Sequence, residues 1–288
     1  MQFGINSILW TGSFNASDLT LIERVRNLGA GGIEFSRLGF DDFPIQAIRR
    51  ELERLDMECT LCTTPPTPEL SLIHPEPSCR VAGIGYLREA ISVAANIGSK
   101  LLVGPLYGKV GWFPGVKRTK EQFEWAVEGF RSLVPDLERR NVTLAIEPLN
   151  RFESFFLATA ADGRELCEAV GSDRVGLLLD TAHMTIEEKS LSSAIRIAGP
   201  WLRHMHTVEN DRGTPGTGLV SWPAVFETLH EINYDGWCVV ETFSWEDPAV
   251  ARRTHTWRTL AESTDSLGRE GLSFLRDTAM RSKILQPQ

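Results

Sequence analysis

The amino-acid sequence predicts a closed α/β barrel of eight parallel strands, and three observations carry that prediction. Short apolar or β-branched runs alternate with amphipathic helical stretches from one end of the chain to the other. Eight such runs can be marked, and no G-x-G-x-x-G follows the first of them, as an open dinucleotide-binding sheet would require. The chain has 288 residues, 42% of them hydrophobic. That suits one core of the (β/α)8 TIM-barrel size, typically about 250 residues, so a single domain over 1–288 is expected.

The expected strands are Phe3 to Leu9, Gly32 to Phe35, Glu58 to Thr63, Leu101 to Gly104, Thr143 to Glu147, Val175 to Asp180, Leu202 to Val208 and Cys238 to Glu241. Between them, apolar residues recur at three- and four-residue spacing, as in Leu21, Ile22, Val25, Leu28 and in Phe123, Val127, Phe130, Val134, Leu137. Such helices can each cover one face of a parallel sheet. Ser17/Asp18, Thr119 with Gln122 three residues on, and Ser221 with Pro223 read as helix starts, and Gly29, Gly98 and Gly171 as helix ends. Beyond Pro248 one or two closing helices are expected over 249–285, with a frayed polar end at Gln286 to Gln288.

A formal net charge of -8 and the absence of any Lys/Arg-rich run argue against nucleic acid as a partner. No run of about 18 apolar residues occurs and no basic-then-apolar start precedes the first strand, so neither membrane span nor export signal is expected and the location expected is cytoplasmic. Five cysteines form an odd, scattered set of expected free thiols. Cys59-x-x-Cys62 suggests a metal or redox pair, but residues three apart on a strand face opposite sides and no second pair completes a tetrahedral site. Core packing is the reading preferred.

In a barrel of this kind chemistry sits at the C-terminal ends of the strands. Strand five ends in Glu147, strand six in Asp180, strand seven contains His204-Met-His206, and strand eight ends in Glu241. Any one of these could be a helix cap or a solvated loop residue. Three carboxylates gathered at one mouth repel one another unless a cation or protonation relieves them, so together they argue for a divalent metal. Three carboxylates and one imidazole suit Mn2+, with Mg2+ or Co2+ as substitutes, and leave room for two substrate oxygens.

At these residues the chain resembles a known family. The runs Ile-Glu147-Pro-Leu-Asn-Arg-Phe-Glu153, Leu-Asp180-Thr-Ala-His183, His206-Thr-Val-Glu-Asn-Asp-Arg212-Gly-Thr-Pro-Gly-Thr-Gly and Val-Val-Glu241-Thr-Phe resemble the D-tagatose 3-epimerase / D-psicose 3-epimerase group of ketose 3-epimerases, within the xylose-isomerase-like barrels. The opening strand also fits, and through the resemblance Asn6 on it is an expected substrate contact. The resemblance implies Mn2+ at Glu147, Asp180, His206 and Glu241, with Glu147 and Glu241 also the acid/base pair. It implies that Glu153, His183 and Arg212 grip the O1 and O2 end of a ketose, and that the protein is a homodimer or homotetramer. The far end of the sugar would meet Trp112, Phe113 and the segment Cys62-Thr-Thr-Pro-Pro-Thr-Pro, where the likeness is weaker.

Inverting a carbon beside a ketone requires a proton to leave one face and return to the other, so two bases are needed, and Glu147 and Glu241 can flank the sugar. A divalent ion would stabilise the cis-enediolate between the two transfers. The expected activity is C3 epimerisation of a free ketohexose or ketopentose, of the D-tagatose, D-psicose/D-fructose or L-ribulose type. Rival readings are an aldose-ketose or hydroxypyruvate-type isomerase, a dehydratase of inositol derivatives, and a noncatalytic sugar-binding barrel. Gly213, Gly216 and Gly218 could offer amides to a substrate phosphate, although the acidic loop Ser244-Trp-Glu246-Asp247-Pro would repel one. Glu34, His204 and Glu209 read equally as groups that orient His206 or the strand-two end and as structural hydrogen bonders. His74, His230 and His255 read as structural or surface residues.

Overall fold

The computed structural model describes residues 1–284. The expected polar end at Gln286 to Gln288 lies outside the described residues. Eight parallel strands close into a barrel in sequence order: β1 (Gln2–Asn6), β2 (Gly32–Ser36), β3 (Glu58–Cys62), β4 (Leu101–Gly104), β5 (Thr143–Ile146), β6 (Val175–Asp180), β7 (Leu202–His206) and β8 (Trp237–Val240). β1 pairs with β8 from Gln2↔Trp237 to Ile5↔Val240, which removes both sheet edges.

Helices α1 (Thr20–Asn27), α2 (Ile45–Leu55), α3 (Pro77–Ile97), α4 (Lys120–Arg140), α5 (Ala160–Val170), α6 (Thr181–Glu187), α7 (Leu191–Ala198), α8 (Trp222–Glu231), α9 (Pro248–Thr254) and α10 (Thr264–Ile284) follow the strands around the outside. Their inward stripes fill the layer between helices and sheet: Ile22 and Val25 on α1 and Phe130 and Leu137 on α4 are fully buried. The barrel's own interior is a smaller apolar cluster of Cys62, Val103, Ala145 and Leu178. Cys59 and Cys62 thus face opposite sides of the sheet, Cys59 in the outer layer and Cys62 inside, and all five cysteines are free thiols. Among the described residues no helix is long and apolar enough to cross a membrane.

Several boundaries differ from the sequence reading, each for a local reason. β1 stops at Asn6 rather than Leu9, because the Asn6 side chain accepts from the Ile8 N–H and turns Ser7–Leu9 into a 3-10 helix. Ser17/Asp18 does not start α1. Asn15 and Asp18 instead cap each other around a 3-10 turn, and α1 begins at Thr20. Ser221 precedes α8 without a side-chain cap, leaving Pro223 in the first turn as the start signal. Thr119 and Gln122 do form the reciprocal cap of α4, and α10 packs against α8, β1 and β8 to close the ring.

Candidate metal centre and substrate cavity

The four expected ligands come from the ends of four consecutive strands. Asp180 and His206 are the last residues of β6 and β7 and register partners, brought level by an irregularity in the pairing at Leu177/Leu178. Glu147 and Glu241 follow β5 and β8 by one residue. The backbone N–H of Glu147 donates to the Gly104 carbonyl at 3.0 Å. Gly104 can sit there because it has no side chain: its φ is +119°, and a Cβ would lie 2.4 Å from the Thr63 carbonyl oxygen.

All four side chains are buried, and one donor atom from each lies within 4.8 Å of the others. His206 Nδ1 is the common point, 3.1 Å from Glu241 Oε2 and 3.7 Å from both Glu147 Oε1 and Asp180 Oδ2. His206 Nδ1 and Glu147 Oε1 are buried without a hydrogen-bond partner. Orphaned buried polar atoms converging in a hard-to-borderline donor set are what a divalent cation would satisfy, so the residues fit such an ion.

The charges shape one another. Burial raises the Glu147 carboxyl above the ordinary glutamate range. Burial presses the same way on Asp180, but Arg212 and the neighbouring histidines outweigh it and hold that carboxyl far below its usual value. His206 would be pushed down by burial, yet Glu241 and Glu34 raise it well above an ordinary imidazole.

Arg212 lies in the left-handed region, φ +64°, on the loop after β7. Its Nη1 donates to Asp180 Oδ2 at 2.6 Å and to Glu241 Oε2 at 3.2 Å, and its Nη2 lies 3.2 Å from His183 Nε2. The Asn150 amide nitrogen ties His183 Nδ1, at 2.8 Å, to Glu153 Oε1, at 3.0 Å. His183, on α6, is 3.7 Å from Glu147 Oε1. The three residues expected at one end of the sugar therefore form a connected arc beside the four ligands.

Above them opens a cavity of about 270 Å³ whose wall includes Glu147, Glu153, His183 and Glu241. Of the expected contacts, Asn6, Trp112, Phe113 and Arg212 are not part of that wall. Asn6 is fully buried, its amide spent on Glu34 and Glu241, and it does not line the cavity. Trp112 also lies off the wall, stacked on His74 at 5.7 Å and edge-on to Phe155 at 5.9 Å, so it braces the loop after β4 while Lys109 and Gly111 face inward. His255, expected as a structural or surface residue, is exposed and borders the cavity with Arg253. Cys62 also lines it, a position the strand-end argument could have found, since it is the last residue of β3.

Two of the three glycine amides after β7 are already taken: Gly213 N donates to Asp211 Oδ1 at 3.0 Å and Gly216 N to Glu209 Oε1 at 2.6 Å. Asp247 caps α9 by accepting from Ala249 and Val250. The loop thus offers little to a phosphate. The residue the sequence reading most undervalued is Glu34. It is completely buried, and its oxygens meet His206 Nε2 at 2.8 Å and His204 Nε2 at 2.9 Å, the latter off the line of a good hydrogen bond.

Fold and donor set together define a metal-site barrel of the xylose-isomerase type, and a family profile described as a xylose isomerase-like TIM barrel matches residues 22–267. Within that class the chain belongs to the ketose 3-epimerases, epimerases of the isomerase class. A Synechocystis protein described as a probable ketose 3-epimerase is 34% identical over 96% of both chains. A solved L-ribulose 3-epimerase superposes with a TM-score of 0.92 at 28% identity, covering 98% of this chain and 96% of that one. The D-psicose 3-epimerase of Clostridium cellulolyticum H10, solved with D-tagatose, superposes with a TM-score of 0.90 at 28% identity over 97% of this chain and 99% of that one.

Proposed function

We propose that the chain is a metal-dependent ketose 3-epimerase acting on a free ketohexose or ketopentose, of the D-tagatose, D-psicose/D-fructose or L-ribulose type. The observation that carries the reading is the pair Glu147 and Glu241, delivered from β5 and β8 to the wall of one cavity beside Asp180 and His206. Glu147, Asp180, His206 and Glu241 would hold the ion, Mn2+ in this reading. When bound, a divalent cation supplies electrophilic stabilisation of the negative charge that develops on the substrate oxygens.

The chain's own residues do the rest. One glutamate takes the C3 proton and the other returns a proton to the opposite face, their roles exchanging with the direction of reaction. Arg212, His183 and Glu153 bind O1 and O2 and hold the carbon frame planar between the two transfers.

The test is incubation of chelator-stripped protein with D-fructose, D-psicose, D-tagatose and L-ribulose in D2O, with and without Mn2+, followed by NMR. Metal-dependent inversion with deuterium at C3 is the expected result. Label at C1 or C2 with aldose formation would make the enzyme an aldose-ketose isomerase, and sugar binding without exchange would make it a binding barrel.

A further inference from the structure

Four strands supply the ligand set, while β1, β2 and β3 supply none of it. Those three strands nevertheless place polar residues inside the barrel at one level: Asn6, Glu34 and Thr60 are register partners across β1, β2 and β3. All three are buried, and they meet on one carboxylate. Glu34 Oε1 accepts from Asn6 Nδ2 at 2.8 Å and lies 2.8 Å from His206 Nε2. Glu34 Oε2 accepts from Thr60 Oγ1 at 2.7 Å and faces His204 Nε2 at 2.9 Å.

We propose that Glu34 is a positioning residue for the metal centre, fixing His206 directly and Glu241 through Asn6. The inference rests on the reading that His206 and Glu241 hold a divalent ion. Two pieces of geometry carry it. His206 turns Nδ1 towards Glu147, Asp180 and Glu241 and Nε2 towards Glu34. For Nδ1 to offer a lone pair the ring proton must sit on Nε2, and an anionic acceptor there selects that tautomer, holds the ring plane and makes the imidazole a stronger donor.

The second is Asn6. Its Oδ1 is committed to the Ile8 N–H at 2.9 Å, which forbids the flipped amide. Both hydrogens of Nδ2 then point into the barrel, one to Glu34 Oε1 and one to Glu241 Oε1 at 3.2 Å. Glu241 is left with Oε2 facing His206. A carboxylate serving only to tie β1, β2 and β3 together would need neither the His206 contact nor the bridge to Glu241. An uncharged residue would tie those strands at a smaller desolvation cost.

The experiment measures Mn2+ affinity by titration calorimetry on chelator-stripped wild type, Glu34→Gln, Asn6→Ala and Thr60→Val. Each is paired with the melting temperature of the metal-free protein and the EPR spectrum of bound Mn2+. Glu34→Gln is expected to weaken Mn2+ binding about 10- to 100-fold, the range found when such a partner of a metal-bound histidine is removed. The EPR spectrum should broaden and excess Mn2+ should recover much of the turnover, while the metal-free melting temperature falls as buried His206 loses its carboxylate partner. Asn6→Ala should weaken binding less, and Thr60→Val, which keeps both the charge and the His206 contact, less again.

Glu34→Gln binding Mn2+ within twofold of wild type, whatever its melting temperature, would overturn the proposal. Should that variant fail to fold, Asn6→Ala decides: weaker Mn2+ binding with retained melting supports the proposal, and unchanged binding overturns it. Wild-type protein that does not bind Mn2+ would overturn the metal reading itself, a result distinct from wild-type binding that Glu34→Gln leaves intact.

Discussion

The indole N–H of Trp222, at the start of α8, donates to Glu209 Oε1 over 2.6 Å, although the two residues lie on opposite sides of the loop after β7. The same oxygen accepts from Gly216 N at 2.6 Å, and Oε2 accepts from Val220 N at 3.2 Å. Gly218 closes against this carboxylate: a Cβ there would lie 2.5 Å from Glu209 Oε2. Glu209 also gives its carbonyl to the backbone N–H of Arg212 at 2.9 Å. The loop that carries Arg212 in its left-handed conformation is thus wound around one buried anion.

Trp222→Phe keeps the packing of the ring and removes that donor. The Glu209 oxygen then lacks one of its two partners in a buried setting, which should cost about 1–3 kcal/mol of stability. Because the loop loosens where Arg212 is anchored, KM for the ketose is expected to rise several-fold with kcat less affected. Melting curves and steady-state kinetics check both, and an unchanged KM would separate the Trp222 contact from Arg212 placement.

Arg212 is asked to do something a lysine cannot. Its guanidinium reaches Asp180 and Glu241 with one nitrogen and His183 with the other, above the ring of Phe243 at 4.4 Å. A single ammonium would replace a planar fork, so Arg212→Lys should lower kcat/KM roughly 100-fold. The metal-free protein carries a second signature in its pH dependence. Arg212, together with His183 and His206, outweighs burial to hold the Asp180 carboxyl far below its unfolded value, so these contacts stabilise fully above the ordinary aspartate range, near pH 4. The stabilisation is lost as pH falls below that range. The melting-temperature gap between wild type and Arg212→Met, with chelator present, is therefore expected to be widest at pH 6 and to narrow steadily towards pH 2.

The five thiols should separate cleanly in an alkylation experiment. Burial pushes Cys59, Cys167 and Cys238 up to about 12, and Cys62 well above an ordinary thiol. Only Cys79, in the first turn of α3, is partly exposed. Since the thiolate is the nucleophile, iodoacetamide at pH 8 should label Cys79 alone in the native protein, and mass spectrometry of the digest reads this directly. Cys62 is the informative negative: it lines the cavity yet is buried, and its thiol is held up first by burial and then by the neighbouring carboxylates.

Much of this site is legible in the sequence because a barrel strand reports its own end. Glu147, Asp180, His206 and Glu241 each stand at or one residue beyond a strand terminus, and the hydrophobic run before each marks where that terminus falls. The Glu34 cluster is hidden for the opposite reason. Asn6, Glu34 and Thr60 are mid-strand or opening-strand residues, and their convergence depends on register across three strands, which one-dimensional periodicity does not encode. Asn6 is expected as a substrate contact from the resemblance alone, yet its cap on Ile8 turns the amide into the barrel. Trp112 reads as a sugar platform, but it sits in a loop whose path is set by tertiary packing on His74 and Phe155.

The proton balance of metal binding follows from His206. Burial alone would lower its pKa, but Glu241 and Glu34 raise it well above the ordinary value near 6.5, so the metal-free ring is expected to keep its second proton into the neutral range. A metal can use Nδ1 only after that proton leaves, so each ion bound should expel about one proton per site at neutral pH. Burial-raised Glu147 adds to the release as pH falls and more of its carboxyl is protonated. Apparent Mn2+ affinity should therefore climb with pH across the neutral range, towards a tenfold gain per unit while one proton is displaced. Titration calorimetry at pH 7 in buffers of different ionisation enthalpy measures the release directly. Observed enthalpies that do not change with buffer would mean that His206 is already neutral in the metal-free protein and that its carboxylate neighbours do not hold the second proton.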